Sequence, residues 1–111
     1  MGATASLKLA ARRRVAGVVS LSAPLEFRGL SLKGEKILVP VLLMATKGDK
    51  SAKNNIEVMV EDGIVGGPEI TDQIVYDNGN DHGTNILTGA NADAARKRIL
   101  DFIEKHRYEA A

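Results

Sequence analysis

Cysteine and tryptophan are both missing from this chain, and histidine occurs only twice. Without cysteine there is no disulfide and no thiolate chemistry, and such a composition fits a reducing cytoplasm. Two histidines without HExxH-type spacing make no case for zinc, and no cofactor is expected. The glycines form neither G-x-G-x-x-G nor G-K-[ST], so a phosphate-cradling loop is excluded. No apolar run approaches the roughly 18 residues of a membrane span, and the N-terminus lacks a signal-peptide core, so no membrane partner is expected. A net charge of +1 gives no reason to expect a nucleic-acid partner. What remains, 44% hydrophobic and 26% charged over 111 residues, suits a single globular domain over residues 1–111.

The most informative stretch is KILVPVLLMATKGD, Lys36 to Asp49. Its unbroken apolar run, Val41 to Ala45, is strand-length and too short for an independent helix; a strand covered on both faces reads this way. Pro40 stands where a strand begins without losing a needed donor. Before it, Met1 to Arg14 has alanines and Leu7 at helical spacing, and Arg12, Arg13 and Arg14 suit a helix C-terminus. Val15 to Ser20 reads as a short buried strand in which Gly17 permits close backbone approach. Ser22 to Glu35, punctuated by Pro24, Gly29 and Gly34, reads as irregular, with Leu25, Phe27 and Leu30 covering a core edge or lining a pocket.

Ser51 to Asp62 fits two patterns: Ala52, Ile56 and Met59 mark a helix face, whereas Ile56, Val58 and Val60 alternate. Gly63 after an acidic stretch suits a helix C-cap and favours the helix. Gln73 to Asp77 is a third strand. Asn91 is placed to cap a last helix, Ala92 to about His106, with Ala92, Ala95, Ile99, Phe102 and Ile103 inward. The alternation predicts an α/β fold of three layers, with about three parallel strands between flanking helices.

Two ionisable residues stand on loops that follow strands: Asp49 after the second and His82 after the third. On adjacent parallel strands both loops leave the same sheet edge, where ligands bind in open α/β sheets. A carboxylate beside an imidazole fixes its tautomer and stabilises the imidazolium. The plain alternative is two solvated loop residues. Asp77 and Asp81 read as turn formers, and His106 as a basic residue complementing a helix dipole. Ser6, Ser20, Ser22, Ser31 and Ser51 lack the strained, glycine-flanked turn that presents a nucleophile.

VAGVVSLSAP, then KILVPVLLMATKGD, then QIVYDNGNDHG and a closing amphipathic helix, resemble the C-terminal half of an α/β-hydrolase over nearly the whole chain. The order acid-then-histidine is that family's order. The resemblance implies a serine hydrolase of ester or similar acyl substrates, in which Asp49 orients His82, the general base. It also implies that Met1-Gly2-Ala3 continue a G-x-S-x-G elbow whose serine would precede Met1, and that the Met1 backbone N–H would be an oxyanion donor. The chain by itself is then expected to be inactive. A non-catalytic module is the alternative: the first strand would have an unpaired apolar edge, so a homo-oligomer or a complementary chain is expected.

Overall fold

The computed structural model describes residues 2–12, 15–27 and 29–106. The central apolar run forms β4 (Val41–Thr46), six residues all buried. It lies between β1 (Val18–Leu21) and β5 (Thr71–Tyr76), and both pairings are parallel, giving the order β1-β4-β5. Val18 pairs with Val41, and Val41 with Thr71, so the carboxyl ends of all three strands share one rim.

Because successive side chains of a strand point to opposite faces, β4 feeds two cores. Val41, Leu43 and Ala45 pack with Leu7 and Ala10 of α1 (Gly2–Arg12) and with Ala52, Ile56 and Met59 of α2 (Lys50–Glu61). Leu42 and Met44 pack on the other face with Ile86 and with Ala95 and Phe102 of α3 (Ala92–His106). The expected α/β class, a short parallel sheet between helices, is the observed architecture. Burying an aliphatic side chain of this size contributes roughly 1.5–3 kcal/mol, so the doubly covered β4 anchors the domain.

Local chemistry explains most boundaries. Gly17 sits where a Cβ would come 3.2 Å from the Pro40 carbonyl oxygen and 3.3 Å from the Phe102 ring. That close approach lets Val18 donate to the Pro40 oxygen at 2.9 Å and start the β1 pairing. The strand therefore begins at Val18 rather than Val15. Gly63, at φ +69°, follows the C-cap Asp62 and ends α2 with a left-handed residue, and the ambiguous segment is helix. Helix α3 spans the expected residues, but Ile103 is half exposed rather than inward.

Two expectations need correction. The segment after β1 is not wholly irregular: β2 (Glu26–Phe27) and β3 (Leu30–Ser31) form a two-rung antiparallel hairpin. Two-residue strands carry no readable period, so the sequence pattern passes over them. His106 is buried and its ring centroid lies 4.7 Å from that of Phe102, so it packs inside the α3 face rather than only complementing a helix dipole. Met1, Arg13 and Arg14 lie outside the described residues, as does the oxyanion role expected of Met1.

Helix α1 is tied to the rest of the chain by charge. Lys8 Nζ and Arg12 Nη2 each donate to Glu35 Oε1 at 3.1 Å. The Lys8 hydrogen bond, aided by the Arg12 and Lys8 charges and opposed by burial, holds the Glu35 carboxyl below the usual carboxylate range. A lowered folded pKa means that this stabilisation is fully present above the unfolded value and is lost as pH falls through the folded one. Wild type is therefore expected to lose more stability than Glu35→Gln between neutral pH and about pH 3, as read by urea melts. Equal losses would remove Glu35 from the acid response.

Candidate active site

The apolar run ends in Thr46, and Lys47-Gly48 turn the chain at the sheet rim. Asp49 follows at the N-terminal boundary of α2. An aspartate there ordinarily caps the helix, but the Asp49 carboxylate makes no cap hydrogen bond. It reaches across to the loop after β5 instead, where His82 Nδ1 lies 2.5 Å from Asp49 Oδ2. Residues 33 positions apart in the chain thus meet because β4 and β5 are parallel neighbours.

The chemistry of the pair follows from its donors. A carboxylate only accepts, so Nδ1–H is the donor to Asp49, and in the neutral ring that tautomer leaves Nε2 with its lone pair. The Asp49 side chain is 14% exposed and the His82 side chain 65% exposed. The acid is thus sheltered, and the imidazole stands open to a reacting molecule.

Four ties hold the histidine loop. Gly48 N–H donates to the Gly79 oxygen at 3.2 Å. Asn91 Nδ2 donates to the Asn78 oxygen at 2.8 Å, so this side chain pins the loop ahead of α3. Thr46 Oγ1 donates to the Asp81 oxygen at 3.0 Å, and Gly83 N–H donates to Ser22 Oγ at 3.0 Å. Directly after His82 the chain enters a 3-10 turn, Gly83–Leu87, whose Ile86 is buried in the α3-side core.

Ser22 differs from its sequence reading in its backbone alone. It is the non-glycine residue with positive φ, +57°, among the described residues, so its backbone is in the left-handed region despite the lack of flanking glycine. It is also buried, with its hydroxyl turned to Gly83, so it is not presented as a nucleophile. Nothing in the sequence marks a serine for this conformation. Thr46 and Gly48 carried more signal, as a polar residue and a glycine closing an apolar strand. Asp81 packs its carboxylate against Gly89, and the carboxylate paired with His82 is that of Asp49.

On the opposite side of the rim from α2, Tyr76 ends β5 within the α3-side core. Burial pushes its phenol above the ordinary tyrosine value, partly offset by the Arg98 charge. Among the described residues no three His, Cys, Asp or Glu side chains gather as a metal site, and no helix is long and apolar enough to cross a membrane. The fold and rim together define a parallel α/β domain with an acid–histidine pair at the carboxyl ends of its strands. No protein-family model, no curated protein and no solved structure matches this chain.

Proposed function

We propose that this chain supplies the acid–histidine half of an α/β-hydrolase-type serine hydrolase acting on ester or similar acyl substrates. The observation that carries the reading is the Nδ1-to-Oδ2 contact at the shared rim of adjacent parallel strands. In this role His82 Nε2 removes a proton from the attacking hydroxyl and then returns it to the leaving group, while Asp49 holds the ring and offsets its transient positive charge. The sequence contains no G-x-S-x-G, so in this role the nucleophilic serine comes from a complementary segment. The chain alone is expected to give no turnover by the serine route.

The test is p-nitrophenyl ester hydrolysis by the chain joined to a strand and G-x-S segment ahead of its first helix. His82→Ala is expected to lower turnover about 10³-fold or more. Undiminished turnover would take the general-base role away from His82.

A second reading, a non-catalytic module that self-associates or pairs with a complementary chain, is favoured by one feature. Strand β1 is terminal in the sheet, and a groove of about 260 Å³ runs beside it, lined by Ser6, Leu9, Val15, Gly17, Val18 and Val19. Leu9 is half exposed there. Open apolar strand edges recruit further strands. The isolated chain is expected to elute above monomer size in gel filtration, and Val19→Lys to shift it toward monomer. A wild-type monomer at high concentration would end the self-association reading.

A further inference from the structure

We infer that Ser22 and Thr46 are positioning residues that clamp the backbone on either side of His82. The inference rests on the acid–histidine reading above and deepens it. Thr46, the last residue of β4, is fully buried and donates from Oγ1 to the oxygen of Asp81, the residue before His82. Ser22, just past β1, is 2% exposed and accepts at Oγ from the N–H of Gly83, the residue after it. One hydroxyl acts as donor and the other as acceptor, and both bonds measure 3.0 Å. The two hydroxyls stand at the carboxyl ends of neighbouring strands, so their spacing is fixed by the β1-β4 ladder rather than by the loop.

The backbone at Ser22 supports a specific role. A left-handed φ is unfavourable for a residue with a Cβ, and such strain persists where the surroundings impose it. Ser22 N–H is spent on the Met44 oxygen at 2.9 Å, extending the β1-β4 ladder, while the side chain turns to Gly83. The conformation therefore joins the end of the sheet to the histidine loop. His82 itself is mostly exposed, and packing around its side chain does little to hold it. Without the clamps, the ties at Asn78 and Gly79 and the Asn85 N–H on the His82 oxygen remain. The peptide units on either side of His82 then lose their link to the sheet, and the Asp49 contact alone orients the ring.

The readout is the ring ¹⁵N spectrum of His82 in the intact chain at alkaline pH, where a fixed tautomer keeps the two nitrogen shifts well separated. Wild type is expected to show that separation, and Asp49→Asn to change it. Ser22→Ala and Thr46→Val are expected to draw the two shifts together as the ring leaves the carboxylate. Thr46→Ser, which keeps the hydroxyl, should restore the wild-type spectrum. Ser22→Gly suits the left-handed backbone but lacks the hydroxyl, so it should retain the wild-type melting temperature, lose the tautomer separation and speed Gly83 amide exchange at least tenfold. It also serves should Ser22→Ala fail to fold.

Wild-type shifts and Gly83 exchange in a folded Ser22→Gly/Thr46→Val double variant would overturn the clamp while leaving the Asp49–His82 pair intact. A wild-type spectrum already averaged would overturn the clamp and the acid–histidine reading together. Absence of ester turnover bears on the hydrolase reading alone, because the spectrum needs no substrate.

Discussion

Asp49→Asn is expected, under the proposed function, to lower ester turnover about 10⁴-fold, close to the effect of removing the base, with almost no change in stability. The size of the kinetic effect comes from the tautomer. An aspartate accepts from Nδ1–H and leaves Nε2 basic; the asparagine NH₂ at the same place donates to Nδ1 and drives the ring proton to Nε2. The lone pair that should meet the nucleophile is then on the wrong nitrogen. The stability expectation comes from exposure. With the His82 side chain 65% exposed, a pair of this kind is worth about 0–1 kcal/mol, and asparagine serves as well as aspartate at a helix boundary.

Paired measurements of turnover and urea midpoint for wild type, Asp49→Asn and His82→Ala read both quantities. A large drop in midpoint with turnover in proportion to folded protein would make the contact a structural tie. Retained turnover in Asp49→Asn would show that the acid has no part in the chemistry.

The second large effect is expected at a residue that takes no part in proton transfer. A Cβ at Gly48 would stand 2.5 Å from the Gly79 oxygen, 2.7 Å from Asn80 Cβ and 2.9 Å from Asn80 Cα. Two of those three atoms are backbone, so no rotamer change relieves the clash. Gly48→Ala must push the turn after β4 away from the turn after β5, and those turns carry Asp49 and His82. Overpacking of this sort costs about 1–3 kcal/mol. Catalytic loss should exceed what unfolding explains, because about 1 Å of misplacement can cost about 10²-fold in rate. A thermal melt beside the turnover assay checks both, and wild-type values in each would show that the turns separate without penalty.

Much of the frame follows from local sequence rules. The run Val41 to Ala45 is apolar at every position, and only a strand covered on both faces uses such a pattern in so few residues. Ala92 to His106 has a single apolar stripe, and its bounds were legible for that reason. Strand β1 starts three residues later than its pattern suggests, at Val18 rather than Val15, because its start is set by the Val18-to-Pro40 hydrogen bond, a contact no local pattern reports. The β2-β3 hairpin has too few residues to show a period. The burial of His106 depends on where Phe102 of the same helix meets the sheet, which a helical repeat specifies only coarsely.

By itself, then, the sequence determined which of the longer segments are helix or strand and that Asp49 and His82 stand on loops following strands. It did so because periodicity, glycine placement and apolar runs act within a few residues along the chain. Tertiary structure alone decided that Asp49 Oδ2 meets His82 Nδ1, that Ser22 takes a left-handed backbone, and that the Ser22 and Thr46 hydroxyls grip the histidine loop. Those contacts depend on strand order and register, and parallel pairing brings together residues that no local rule connects.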